Sequence, residues 1–417
     1  MIEAGGELSH LVLLTGGAVV LTMLIKGGME RTVVPPLVGF LVLGAALRWG
    51  ETQWPGVFEG GGGAIAFLSK LGLVTLLFRV GLKSDITVLA GQLKNASVAW
   101  VSNIVLAGLA GYLTTSVFLG QGAIPSLIVA VAFTATSVGV SVKVWEDQNA
   151  LKSNNGGLLV DLAELDDVTA ILLMGLVFAV VPYLQTETAA GALWTVLGWH
   201  TLGFLAKLVL FAGGCFVFAL FLERPMTRFL QRVEHTPDST LTIVGIGFVI
   251  AALAGQLGFS LAIGAFFAGL TFSRDPQCVN LNASFTPLFD FFSPFFFVGI
   301  GFEFEWAVLG PSLGMGLFLA LIAVVAKLIA NGLPVAWMAG WPSGALIGAS
   351  MMPRAEIALV VMQKGLHLGK NVVSAQLFGA MIVASAVSCV LAPIVVRGML
   401  RRWPQAQKGP TEEKKHV

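Results

Sequence analysis

Residues 161–181 read DLAELDDVTAILLMGLVFAVV, an apolar run that carries two adjacent carboxylates, Asp166 and Asp167. The run lies within an apolar stretch from Gly156 to Leu184. That stretch can cross a bilayer as a helix, since about 20 residues at about 1.5 Å each span about 30 Å. A charge near the bilayer centre costs about 2.5–3.5 kcal/mol on insertion scales. Nothing in helix stability offsets that cost for two neighbouring acids. The stretch therefore reads as a transmembrane helix built round an ion or proton site.

The rest of the chain agrees with that reading. Its 417 residues are 56% hydrophobic and 11% charged, whereas soluble domains carry about 25% charge. This composition predicts an all-α polytopic membrane protein and excludes a soluble domain. A net charge of +1 gives no basic surface for nucleic acid. Cys215, Cys278 and Cys389 lie in or near apolar segments and form neither a disulfide framework nor a metal-ligand spacing. The N-terminal MIEAGGELSH has no basic region and no A-x-A site, so the first apolar stretch is expected to be a span rather than a cleaved signal.

About 13 transmembrane helices are predicted, near 8–25, 33–48, 64–82, 96–118, 124–144, 156–184, 197–222, 239–256, 258–273, 286–302, 311–332, 342–363 and 371–397. The break at 256–258 could instead lie within one bent helix. With the N-terminus outside, the inner segments gather Lys26, Arg31, Lys83, Lys94, Lys143, Lys152, Arg224, Arg228, Arg232, Arg274, Arg397, Arg401, Arg402, Lys408, Lys414 and Lys415. The outer loops then hold only Arg48, Lys364 and Lys370. This asymmetry predicts a multi-pass protein of the bacterial cytoplasmic (inner) membrane with the C-terminus inside. Residues 1–402 form the membrane domain, and 403–417 a short cytoplasmic tail. The charged linker from Glu223 to Ser239 divides the chain into halves with no visible sequence identity.

Charges inside spans normally pair or line a wet cavity. The intramembrane bases are Lys70, Arg79, Lys207, Lys327 and Arg354; the acids are Asp161, Glu164, Asp166, Asp167, Asp290 and Glu356. Lys327, in LIAVVAKLIANG, has no acid nearby in sequence and needs a distant partner, for which Asp166 and Asp167 are the candidates. Snorkelling to an interface is the alternative. Two segments read as interrupted helices. One is Phe133 to Gly139, where Thr134, Thr136 and Ser137 sit mid-span; the other is Met351 to Glu356, where Pro353 stands beside two opposite charges. Discontinuous helices at matching positions of inverted repeats frame the midplane site of many transporters. Close packing by small residues is the plainer reading of the first segment.

TATSVGV, a span bearing DD, a late lysine and MMPRAE occur here in that order. With LLFRVGLKSDI, LGFSLAIGAFFAGLTFS and FFSPFFFVGIGFEFE, the series resembles the bacterial sodium/proton antiporters of the second cation:proton antiporter family (NapA-type, related to the KefC-type potassium systems). The resemblance covers nearly the whole chain. It implies inverted repeats with two crossing discontinuous helices, the NhaA-like antiporter fold. It further implies a mobile core at about 96–184 and 311–397, a dimerisation scaffold at about 8–82 and 197–302, and a homodimer.

By motif match, Asp167 binds the cation and exchanges protons, Asp166 pairs with Lys327 and is a second possible ligand, Thr134 and Ser137 lie at the first crossing, and Arg354 and Glu356 belong to the second broken helix. The chain departs from the family where GLE-x-D reads Gly81-Leu82-Lys83-Ser84-Asp85, where PRGE reads PRAE, and where Asp161, Glu164 and Arg79 replace uncharged residues. These departures bear on cation preference and pH response. No nucleotide-binding domain like that of the potassium-efflux branch is expected, which favours the sodium branch.

A carboxylate in a semi-dry cavity is neutralised by a proton, a cation or an ammonium, so sodium and protons can compete for one acid. The expected function is secondary active, electrogenic exchange of Na+ or Li+ for H+, serving pH homeostasis. Exchange of K+, or electroneutral exchange, is the alternative within the family. A channel or a sodium-coupled organic-anion symporter is the alternative outside it. An intramembrane aspartyl protease needs acids facing each other from two helices, and none of the five histidines lies deep enough to serve a serine protease. No cofactor is expected. The partners are monovalent cations, protons, the lipid bilayer and a second copy. On a helix, Asp161, Glu164 and Asp167 project within about 120° of one another and Asp166 about 100° further round, so Asp161 and Glu164 could line a cytoplasmic funnel or pair with a nearby base such as Arg79 or Lys83.

Overall fold

The computed structural model describes residues 2–32, 34–54, 61–84, 96–185, 190–222, 225–226, 240–273 and 278–405. Asp85, Lys94, Arg224, Arg228, Arg232, Arg274 and the tail from residue 406 lie outside the described residues, as does the 223–239 linker apart from 225–226. The described residues are helical and contain no strand. Nine helical segments among them are long and apolar enough to cross a membrane, with shorter apolar helices at Leu241–Gln256 and Leu261–Thr271.

In chain order the helices are α1 (Ile2–Met29), α2 (Pro36–Gln53), α3 (Gly61–Lys83), α4 (Ala96–Phe118), α5 (Ala123–Thr134), α6 (Val138–Asp147), α7 (Asn154–Leu184) and α8 (Ala190–Val217, continued by a π turn). They continue with α9 (Thr240–Gln256), α10 (Leu261–Thr271), α11 (Cys278–Phe302), α12 (Trp306–Ala339), α13 (Trp341–Ser350), α14 (Glu356–His367) and α15 (Ala375–Arg402). The 256–258 break is real: α9 stops at Gln256, Gly258 adopts φ +90°, and the Ser260 hydroxyl caps α10 by accepting from the Ile263 N–H at 3.3 Å. The span expected at 311–332 runs on to Ala339, because a π turn at Leu328–Gly332 carries the helix past Gly332. The spans expected at 124–144 and 342–363 are each two helices, separated by residues 135–137 and 351–355.

Contacts divide the chain into two units. The first comprises Met1–Gly27, Gly39–Val88 and Ile171–Phe304. Here α3 packs on α10 and α11 backbone against backbone. A Cβ at Gly81 would fall on the Phe266 carbonyl, and one at Gly269 on the Phe78 carbonyl. Small residues that permit such approach hold helices together where lipid leaves no hydrophobic gain from association. Asp290 pairs with Lys26 at 2.7 Å, and the Arg79 guanidinium lies 3.9 Å from the Phe289 ring centre, within electrostatic reach of Asp290. Lys207 lines an apolar groove of about 780 Å³ between α8 and α9.

The second unit comprises Gly28–Val38, Leu89–Ala170 and Glu305–Val417. Its core gathers Trp145, Leu159, Leu162, Leu346, Met351, Met352 and Val396. Within it α5 packs on α4 and α14, α6 on α15, and α12 on α15. All the site residues named from the sequence lie in this unit.

Candidate functional site

The site begins with two helices that stop short. In α5 the pattern ends at Thr134, and Ala135 turns extended at φ −63°, ψ 147° before α6 starts. Pro353 has no N–H to continue α13, and Met352 to Ala355 lie outside any helix. The two interruptions meet. The Ser137 N–H donates to the Pro353 carbonyl at 2.8 Å, and the Ser141 hydroxyl donates to the Ser350 carbonyl at 2.7 Å. Trp145 Nε1 donates to the Ser350 hydroxyl at 2.8 Å, fixing α6 against the end of α13.

The carbonyls freed at the end of α5 are taken by cations. Lys327 Nζ donates to the Thr134 carbonyl at 2.9 Å, and an Arg354 terminal N–H donates to the Phe133 carbonyl at 2.9 Å. The Arg354 guanidinium also lies 4.5 Å from the Phe133 ring centre. A helix C-terminus carries partial negative charge and leaves its last carbonyls unpaired, so buried cations suit this place. Glu356 stands in the first turn of α14, at the opposite, partly positive pole.

Lys327 reaches Asp166 as well. Nζ lies 3.2 Å from Asp166 Oδ2, and both side chains are fully buried. The Thr136 hydroxyl accepts from Lys327 Nζ at 2.6 Å and donates to Asp166 Oδ2 at 2.7 Å. Asn103 Oδ1 accepts from Nζ at 2.8 Å, while Asn103 Nδ2 donates to the Thr134 carbonyl at 3.0 Å. The second oxygen of Asp166, Oδ1, is buried without a hydrogen-bond partner among the described residues, as is the Ser137 hydroxyl.

Asp167 differs from its neighbour. Its side chain is half-buried and forms no hydrogen bond or ion pair among the described residues. Glu356, Asp166, Glu164 and Lys327 all lie within electrostatic reach of it. Asp161 and Glu164 are half-buried like Asp167, whereas Asp166 is fully buried, so burial follows the helical wheel of α7. Among the described residues no three or more His, Cys, Asp or Glu gather to ligate a metal. A cation at Asp167 would have to complete its shell with other oxygens of the site, and two buried ones have no hydrogen-bond partner among the described residues: the Asp166 carboxylate Oδ1 and the Ser137 hydroxyl.

The sequence reading named Thr134 and Ser137 for the first crossing. The structure places both at the α5–α6 interruption, where Thr134 contributes its carbonyl, its hydroxyl being turned back to the Val131 carbonyl at 2.8 Å. The hydroxyl that touches the ion pair is that of Thr136. Asn103 and Asn331 were missed. Asn331 Nδ2 donates to Asn103 Oδ1 at 3.3 Å, and both residues are fully buried. The available signal was a lone amide in each of two apolar spans, because a buried amide needs partners.

The model of the sodium/hydrogen exchanger transmembrane family matches residues 17–402. The high-affinity Na+/H+ antiporter NhaS3 of Synechocystis sp. is 28% identical over 405 residues, which cover 94% of this chain and 83% of that protein. A Na+/H+ antiporter of Enterococcus hirae is 23% identical over 376 residues, covering 88% and 92%. Among solved structures, the sodium proton antiporter MjNhaP1 of Methanocaldococcus jannaschii at pH 8 shares the fold with a TM-score of 0.64 at 16% identity, over 95% of this chain and 97% of that one.

Proposed function

The chain belongs to the sodium/hydrogen exchanger family, multi-pass membrane proteins that exchange monovalent cations for protons as secondary transporters rather than enzymes, and from that premise we propose that it exchanges Na+ or Li+ for H+ electrogenically, with cation and proton competing for Asp167. The observation that carries this reading is the contrast within the DD pair. Asp166 is committed to Lys327 and Thr136, while Asp167 is half-buried and makes no hydrogen bond or ion pair among the described residues. A carboxylate so placed is neutralised by a proton or by a cation, not by both, and that exclusion is all that coupling requires.

Alternating access follows if the site moves only when neutralised. The unit that holds the crossed helices is the moving core in this reading, and the other unit is the scaffold through which a homodimer forms. The inverted-repeat, 13-helix arrangement of the NhaA-like fold, a cytoplasmic-membrane location and an outside N-terminus belong to the same proposal. Because the cycle involves two carboxylates and one ammonium, release of one sodium ion admits more than one proton, and net charge moves. Asp161 and Glu164 line the cytoplasmic approach and raise the local cation concentration there.

The test is sodium-driven proton flux in proteoliposomes holding the purified protein or its Asp167→Asn variant. The variant should show no sodium-dependent proton movement while keeping a thermal unfolding midpoint close to that of the parent. Wild-type exchange by the variant refutes the assignment of Asp167.

A further inference from the structure

We propose that Asn103 is a positioning residue that holds Lys327 in place as a charged ammonium when a proton or cation neutralises Asp166. The proposal rests on the exchange reading for its role in the cycle. Its geometry stands on its own.

An ammonium has three N–H donors. Four oxygens surround Lys327 Nζ, and Asp166 Oδ2 at 3.2 Å is the most distant. The nearer ones are the neutral oxygens of Thr136 at 2.6 Å, Asn103 at 2.8 Å and the Thr134 backbone at 2.9 Å. Three neutral acceptors thus match three donors without help from the carboxylate. When Asp166 is neutralised, Lys327 keeps a complete hydrogen-bond shell in the same place.

Asn103 is the side chain in that shell with no part in either broken helix. Its amide is oriented from both sides: Nδ2 is tied to the Thr134 carbonyl at 3.0 Å, and Oδ1 receives the Asn331 amide at 3.3 Å in addition to Lys327. The backbone is shaped to match. Asn103 opens a π turn, Asn103–Ala107, and Lys327 immediately precedes another, Leu328–Gly332, which contains Asn331. These two turns pack against each other. Single π turns within α-helices are frequent at functional sites. The charged groups that face Lys327 are Asp166 and Asp167 from α7 and Arg354 from the second interruption. Arg354 repels the ammonium, so a neutral acceptor on the side of α4 is what keeps Lys327 from being driven off once Asp166 is discharged.

The experiment is a thermal-stability cycle on the purified protein, with Asp166→Asn standing for the neutralised acid. Asn103→Leu should lower the unfolding midpoint modestly in the parent and about twice as far in the Asp166→Asn background. Equal losses in both backgrounds would mean that Asn103 only fills space or braces Thr134, and the proposal fails. Should Asn103→Leu not fold, Asn103→Asp in the Asp166→Asn background decides. It returns an anionic oxygen to Nζ and should be more stable than Asp166→Asn alone; no gain overturns the proposal. In liposomes Asn103→Leu should raise the apparent KM for sodium on the order of tenfold, the worth of one charge-assisted hydrogen bond, with a smaller fall in maximal rate, because Lys327 then competes harder for Asp166. The stability cycle requires no transport. Coupling without any sodium–proton exchange would remove the exchange reading and leave Asn103 as the anchor, whereas exchange without coupling would do the reverse.

Discussion

Removing Lys327 should cost far more than removing the charge of Asp166. Lys327→Ala leaves Asp166 a fully buried carboxylate whose remaining hydrogen-bond donors are neutral, chiefly the Thr136 hydroxyl at 2.7 Å. It also strands the Asn103 and Thr134 oxygens that the ammonium had satisfied. Breaking a buried pair from one side typically costs about 3–5 kcal/mol, because the surviving charge is left uncompensated. Asp166→Asn leaves the ammonium with three neutral acceptors between 2.6 and 2.9 Å, so its loss belongs near about 1–2 kcal/mol, the scale of a hydrogen bond to a charged group. In the Lys327→Ala, Asp166→Asn double variant neither member of the pair is left as an unpaired buried charge, and most of the loss caused by Lys327→Ala should be recovered. The assay is thermal unfolding of the four purified proteins in one detergent. Additive losses, or a larger loss for Asp166→Asn than for Lys327→Ala, would refute the reasoning, since either would show that the ammonium does not depend on this geometry.

An imposed membrane potential should shift the reversal point of sodium-driven proton flux, because one charge moved across 100 mV is worth about 2.3 kcal/mol; a voltage-independent reversal point means one-for-one exchange. Neutralising Asp161 and Glu164 together should raise the apparent KM for sodium on the cytoplasmic side, most at low ionic strength where screening is weak, and leave maximal turnover largely intact. Loss of turnover with KM unchanged would instead assign these acids to coupling or to a structural ion pair.

What the sequence discloses and what it conceals divide along the regularity of the backbone. Asp166, Asp167 and Lys327 are legible because charges in apolar spans are conspicuous whatever the local geometry, and Pro353 with two charges announces a break for the same reason. The choice among Thr134, Thr136 and Ser137 is not legible. Past Thr134 the chain is extended, side chains no longer follow a period of 3.6, and one residue of extended backbone turns a hydroxyl to the other side. Thr134 remains helical and spends its hydroxyl on the preceding turn; Thr136, two residues later, points at Asp166.

The same cause hides the directions in which Asn103 and Asn331 point. Each lies in a π turn, and such a turn has no composition of its own, so a wheel drawn at 100° per residue assigns the wrong direction to every residue beyond it. The 311–332 span fell short for a related reason: its predicted end coincides with the last residue of that π turn, after which α12 resumes to Ala339. The residues that carry charge in this site could therefore be read from the chain. Those that decide where the charge sits occupy the places where the helix departs from its period, and the fold shows where they point.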